Sequence, residues 1–363
     1  MKKILLMVAV AMMAALSAQA QKIKTVDTQG NPIPLVTILG MDGVMIGTTN
    51  INGELDDVKG AAKVTVTHVA YKPQIVTVAS LPNGQITMED LDYGLAEIVV
   101  TPKPFVYTEY YFRAFRYVGD SLRAYSAGIL PAIYDTRKEY KGDTRTHWSY
   151  GVFANKAVSW HGAHITNQVK DWANNSRHIM AEKWLREKKY IDKYNASIVA
   201  DGANHWIVKT PKEVVGQIVH TKGLSRTTLD GGRMQMYSNE IHGEKKKLEK
   251  RQERDYAYQY TEVYTLPDAD DDLPDLVRHV MTMNHWEFNS GKGREIEIYY
   301  IYTVDHGYVS KDEFTARSKE LNNGYVGDMT LEALQKYEAE HNIPALAPAQ
   351  LEVIKTLKKG QGK

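Results

Sequence analysis

"DTQGNPIPLVTILGMDGVMIGTTNINGEL", residues 27–55, alternates short apolar runs with clusters of Gly, Asn, Asp and Thr. Gly30, Gly43 and Gly53 fall between the runs, where turns commonly need a positive φ. The Asp and Asn side chains beside them are suited to capping such turns. Pro32 and Pro34 flank the start of a run, which an edge strand tolerates because proline has no N–H to leave unpaired. Calcium is the other chemistry that "NINGELDD" suggests, through its oxygen ligands, but the spacing is not that of an EF-hand loop. The glycines are therefore expected to turn the chain of a small β unit.

The same style continues on both sides. "KIKTV" precedes the stretch, and "AKVTVTHVAY", "QIVTVA", "QITMEDL" and "LAEIVVT" follow it. In "VTVTHV", Val64 and Val66 share one face and Thr65 and Thr67 the other, the period of a half-buried strand. Short strands at this spacing predict an antiparallel sandwich. Residues 22–101 resemble the carboxypeptidase regulatory-like domain, a transthyretin-like β-sandwich common in Bacteroidota envelope proteins. The resemblance is carried by Val26-Asp27, Gly30, Pro32-Ile33-Pro34, Val36 and Ile38, then Gly47-Thr48-Thr49-Asn50 and Gly53. Val69-Ala70-Tyr71 and the closing Leu95-Ala96-Glu97-Ile98-Val99-Val100 complete it. Leu55 stands where the family usually has an aromatic residue, and Ala70 where a glycine usually precedes the tyrosine. The resemblance implies a structural or adhesive role and no peptidase chemistry.

Upstream, "MKK", the apolar "ILLMVAVAMMAAL" and the small residues of "AQA" have the order of a secretory signal peptide cut after Ala20. The apolar run is shorter than the ~20 residues that a spanning helix needs, and nothing downstream is apolar enough to span as a helix. The mature chain is thus expected to be exported, periplasmic or outer-membrane-associated, without a transmembrane helix. It has 0 cysteines, which excludes disulfides, a thiol nucleophile, cysteine-ligated zinc and a lipoprotein anchor. Loss of Lys2 and Lys3 lowers the 45 basic residues to 43 against 44 acids, so net charge gives no reason to expect nucleic acid.

Beyond "TPKPF", with residues 102–105 as the linker, the sequence changes style and tyrosine and tryptophan become frequent. "TEYYFRAFRYV" is expected to be a strand, with "GDSLRAY" turning the chain. Residues 163–190 have helical spacing, and "ASIVADGANHWIVKT" predicts a hairpin turning at Asp201-Gly202. "DYAYQYTEVY" puts Tyr256, Tyr258, Tyr260 and Tyr264 on one face of a strand, and "REIEIYYIYT" is expected to pair with "NHWEF". Ser310 and Glu313 form a capping box, Thr330 caps "LEALQKYEAEHN", and "PAQLEVIKTLKK" supplies a last helix. The expected fold class is therefore a transthyretin- or Ig-like all-β sandwich (21–101) followed by an α+β region (106–363) with an antiparallel sheet and terminal helices. The second region loosely resembles the half-barrel-plus-helices architecture of lipoprotein-carrier proteins.

Chemistry is sparse. His161 and His164 in "WHGAH" are the candidate metal ligands, with His178, Glu182 or His220 as a distant third. The motif lacks the glutamate of a His-Glu-x-x-His peptidase, and with 12 histidines in the chain this spacing arises by chance. "DADDDLPD", Asp268–Asp275, gathers carboxylates that could hold calcium, and its prolines fit a solvated loop. "EKKKLEKRQERD", residues 244–255, is a mixed-charge face, with contact to anionic lipid or polysaccharide as the alternative. No Gly-x-Ser-x-Gly elbow or phosphate loop is present in the sequence. Trp148, Trp160, Trp172, Trp184, Trp206 and Trp286 are expected mostly in cores, with sugar stacking as the alternative. The expectation is a non-catalytic protein with no cofactor, whose first domain presents or docks a region that binds an envelope protein or glycan. The alternatives are a metal-assisted hydrolase using His161 and His164, and a carrier of an apolar ligand.

Overall fold

The structure is a computed structural model. It describes residues 22–91, 105–135, 141–144, 148–153, 185–186, 188–242, 258–265, 276–285, 295–322 and 327–359. The chain divides into two compact units, Met1–Asp90 and Leu91–Lys363.

The first unit contains β1 (Ile23–Val26), β2 (Thr37–Gly40), β3 (Met45–Thr48), β4 (Glu54–Leu55), β5 (Lys63–His68), β6 (Tyr71–Thr77) and β7 (Gln85–Thr87). They form a three-stranded sheet, β4-β1-β7, and a four-stranded sheet, β3-β2-β5-β6. The apolar positions of the opening stretch, among them Ile33, Leu35, Val36, Ile38 and Leu39, are buried. Its polar residues finish the turns. Asp27 Oδ1 accepts from the backbone N–H groups of Gln29 (2.8 Å) and Asn31 (2.9 Å), and Asn50 Oδ1 from those of Asn52 (2.9 Å) and Glu54 (3.0 Å). Thr25 and Thr49 hydroxyls both donate to the Ile33 carbonyl, at 2.6 and 3.0 Å, between two prolines that can donate nothing. Gly53 has φ +73°, and a Cβ there would lie 2.5 Å from the Thr25 carbonyl oxygen.

The second unit begins with β8 (Phe105–Val118), β9 (Ser121–Asp135), β10 (Lys141–Thr144) and β11 (Trp148–Phe153). Then come α1 (Lys188–Tyr194), β12 (Ser197–Ala200), β13 (His205–Lys209), β14 (Val214–Thr221), β15 (Leu224–Asp230) and α2 (Gly231–Ile241). The long strands β16 (Tyr258–Thr265), β17 (Leu276–His285) and β18 (Glu295–Val309) follow. The chain ends with α3 (Lys311–Asn322), β19 (Gly327–Asp328), α4 (Leu331–Glu340), α5 (Pro348–Thr356) and β20 (Lys358–Lys359). The described strands of this unit belong to one 13-stranded sheet, ordered β12-β13-β14-β15-β16-β17-β18-β8-β9-β11-β19, with β10 on β9 and β20 on β11. The ladder from β12 to β18 runs between neighbours in sequence, each pair antiparallel. It then continues onto β8, pairing Tyr302 with Tyr111 and Tyr300 with Arg113.

β8 and β9 form a hairpin whose turn is Gly119-Asp120, with Gly119 at φ +60°. "SLRAY" therefore lies in β9 rather than in the turn. The odd-numbered face of β8 receives α3, α4 and α5. The other face contributes Val106, Tyr110, Phe112 and Ala114 to a buried cluster with Leu130, Ala132, Tyr134, Tyr299 and Ile301. Burial on both faces is why this strand is mostly apolar and aromatic in sequence, without strict alternation. Beneath α1 and α2, a second cluster joins Leu185, Ala196, Val208, Val215, Ile218, Leu229 and Met234.

The expected fold class does not hold. The architecture is mixed α/β, built from antiparallel sheets with a few helices, in place of an all-β sandwich followed by an α+β region. In the first unit β1 pairs with β7 in parallel, so its three-stranded sheet is mixed. In the second unit strands dominate and are joined in one long ladder, which includes a parallel pair, β11 with β19. Period-two patterning identifies strands one at a time, whereas class depends on which strands become neighbours.

Several local expectations correspond to described elements. Ala200 pairs with Trp206 around the Asp201-Gly202 turn, and Asn284 and His285 pair with Ile296 and Glu295. The capping box is formed: the Ser310 N–H donates to Glu313 Oε2 (2.7 Å) and the Glu313 N–H to Ser310 Oγ (3.2 Å). Thr330 Oγ1 accepts from the Ala333 N–H at 3.1 Å. Of the helix expected over 163–190, most lies outside the described residues, and α1 covers Lys188–Tyr194.

Candidate functional site

His161 and His164 lie outside the described residues, as do His178, Glu182, Asp268–Asp275 and residues 244–255. His220 is described: it sits on β14 with its ring 4.6 Å from that of Trp206. Trp206 itself packs against the cluster beneath α1 and α2. Among the described residues no group of three or more His, Cys, Asp and Glu could hold a metal ion.

The described chemistry is concentrated elsewhere, where the odd face of β8 meets α4. Arg113 and Glu338, 225 residues apart, form an ion pair with both side chains only 5% exposed. Arg113 Nε donates to Glu338 Oε1 at 2.9 Å, and Nη2 lies 2.7 Å from the same oxygen. The Tyr111 hydroxyl donates to that oxygen as well. The guanidinium stands 5.7 Å from the Tyr111 ring centroid and 6.0 Å from that of Tyr302. Burial by itself would lower the pKa of Arg113, but the surrounding Tyr111 and Glu338 raise it well above its usual value. The Arg113 charge is thus permanent, and Glu338 compensates it.

Nearer the start of the same face of β8, Glu109 accepts two phenols: Tyr337 at 2.6 Å and Tyr107 at 3.0 Å. Arg317 of α3 places its guanidinium 3.8 Å from the Tyr107 ring centroid. His341 stacks on Tyr337 at 4.0 Å. Burial and then the Glu109 carboxylate push both phenols up, so Tyr107 and Tyr337 stay protonated through the neutral range. At the far end of the strand Gln350 of α5 donates to the Tyr117 hydroxyl at 3.2 Å. Each C-terminal helix therefore presents a polar side chain to the same face of β8.

A second buried pair lies on the opposite face. Arg116 Nη1 is 3.5 Å from Glu297 Oε1 on β18, and the Tyr299 hydroxyl donates to Glu297 Oε2 at 2.5 Å. Burial, followed by Glu297, holds the Tyr299 phenol well above its ordinary range.

This arrangement can hold elements together. It is poorly suited to nucleophilic chemistry, because a phenol nucleophile needs a depressed pKa and these are all raised. None of these residues was a candidate in the sequence, yet two signals were available. Glu109, Arg113 and Arg116 interrupt a mostly apolar and aromatic strand. Glu338 occupies the buried stripe of α4 defined by Leu331 and Leu334, where an apolar residue is the norm. An acid there calls for a buried base, although the pattern does not say which one. No protein-family model matches the chain, and no curated protein matches its sequence.

Proposed function

We propose that the chain is an exported, non-catalytic envelope protein, periplasmic or outer-membrane-associated. Its first unit, related to carboxypeptidase regulatory-like modules through the residues quoted above, docks or presents the second unit, which binds an envelope protein or glycan. The observation that carries this reading is the internal satisfaction of the β8 cluster. Glu109 and Glu338 each accept from side chains of the protein itself, and the phenols around them are held protonated. Such groups serve cohesion rather than turnover. The near-neutral mature charge argues against a nucleic-acid partner. No helix among the described residues is long and apolar enough to cross a membrane.

The test is intact mass and elemental composition of the mature protein purified from the cell envelope and mildly dialysed. A chain beginning at Gln21, with metal content that is low and the same in His161→Ala and His164→Ala variants, is the expected result. Near-stoichiometric zinc that disappears in His161→Ala would overturn the non-catalytic reading in favour of a metal-assisted hydrolase. A retained signal segment would overturn export.

A further inference from the structure

Four tyrosines of β18, β8 and α4 form a series of closely spaced rings. Between ring centroids, Tyr300 lies 6.5 Å from Tyr302, Tyr302 lies 6.3 Å from Tyr111, and Tyr111 lies 5.7 Å from Tyr337. The first three are buried, and Tyr337 is half-buried. At such spacings an electron passes between rings faster than a radical on a buried ring meets anything else. An electron hole made on one of them therefore settles on the phenol that is easiest to oxidise.

A protonated phenol gives up an electron readily only when its proton has a base to go to. Tyr111 donates to Glu338 Oε1, but Arg113 Nε and Nη2 hold that same oxygen, so an arriving proton has to displace an ion pair. Glu109 is placed differently. Among the described residues its carboxylate has no cation paired to it, and it accepts from Tyr337 through Oε1 and from Tyr107 through Oε2. Its two phenols also differ. The Arg317 guanidinium lies over the Tyr107 ring, as that of Arg113 lies over Tyr111 and Tyr302, and a cation attracted to a ring's π electrons opposes their removal. Among the described residues no lysine or arginine lies over Tyr337, whose ring stacks on His341 at 4.0 Å. Tyr337 also makes the shorter of the two bonds to Glu109, 2.6 against 3.0 Å.

We infer that Tyr337 is the site at which one-electron oxidation of this ring series settles, with Glu109 as the base that takes its proton. The step balances. A one-electron oxidant, such as a carbonate or peroxyl radical, removes one electron from the series and is itself reduced. The Tyr337 O–H bond breaks, its proton passes to Glu109 Oε1, and a neutral phenoxyl is left beside a neutral carboxyl. A one-electron reductant such as a thiol or an enediol then returns the electron at half-buried Tyr337, and the proton goes back from Glu109. The chain has 0 cysteines of its own to intercept such radicals. The inference concerns oxidative damage rather than turnover, and it rests on neither the export nor the binding role proposed above.

The experiment is flash–quench oxidation of the full-length protein by tris(bipyridine)ruthenium(III), with a nitroso spin trap present. Peptide mass spectrometry locates the adduct, and electron paramagnetic resonance follows the phenoxyl. Adduct is expected on Tyr337 well above that on Tyr190, Tyr194 and Trp206, which are half-buried too. Glu109→Gln keeps an acceptor for both phenols but cannot take the proton, so the Tyr337 adduct should be lost while circular dichroism stays native. Tyr337→Phe, which removes one hydroxyl, should leave a longer-lived phenoxyl that the trap does not reach, because the remaining rings of the series are buried. Adduct spread evenly over the four half-buried residues would overturn the inference, since exposure alone would then decide. A folded Glu109→Gln protein labelled like wild type would do the same. If that variant loses its fold, Tyr337→Phe decides: a phenoxyl signal with unchanged lifetime refutes the assignment to Tyr337.

Discussion

Removing Glu338 should be among the most damaging single changes available in the second unit. Its carboxylate and the Arg113 guanidinium are each 5% exposed, so Glu338→Leu leaves a permanent positive charge in the interior with its main acceptor gone. Breaking a buried pair from one side costs about 3–5 kcal/mol. In a unit of this size each kcal/mol moves the melting temperature by roughly 2–4 °C, so a loss of about 4 kcal/mol predicts a fall of roughly 8–16 °C. Arg113→Met should cost a comparable amount, because Glu338 then keeps the Tyr111 hydroxyl but not its cation. The double variant Arg113→Met/Glu338→Leu has no buried charge left at this point. It should recover most of the loss, since an apolar pair of similar volume is often neutral or better than an ion pair. Differential scanning calorimetry of wild type, both single variants and the double variant closes the cycle. If Glu338→Leu melts within a degree or so of wild type, or if the double variant is as unstable as the two losses added together, the pair does not pin α4 to β8.

Other outcomes follow from the same structure. Gly53→Ala forces a Cβ to within 2.5 Å of the Thr25 carbonyl oxygen at a positive φ, and should cost roughly 2–4 kcal/mol. The first unit is small, so limited proteolysis of the full-length variant should show new cleavage within residues 22–90 and leave the second unit intact; an unchanged digestion pattern would count against the turn geometry. Alkaline stability follows from the tyrosines. The folded state raises Tyr107, Tyr111, Tyr299 and Tyr337 above the unfolded phenol value of about 10, so it binds more protons than the unfolded chain once the pH exceeds that value. Their contribution is complete below about pH 10 and is lost as pH rises toward the raised values. Phenolate absorbance should therefore show one class titrating normally and another only as circular dichroism collapses. A single class titrating in the folded protein would refute the burial.

The sequence by itself determined features that depend on neighbours a few residues away. A capping box needs only Ser310 and Glu313, a hairpin turn only Asp201-Gly202 between apolar runs, and an Asx-capped turn only Asp27 or Asn50 with the backbone just ahead. These are short-range contacts, and their chemistry is written in consecutive residues. Strand neighbours are different. That β7 lies parallel to β1, and that β18 returns to β8 instead of ending the sheet, depends on many weak pairings made together, with no local signature. The β8 cluster is of the same kind. Arg113 announces that a buried charge needs a partner, but Glu338 becomes that partner only when the fold lays α4 against the strand. Burial is a property of the assembled unit, and it alone turned two charged residues 225 positions apart into one interaction.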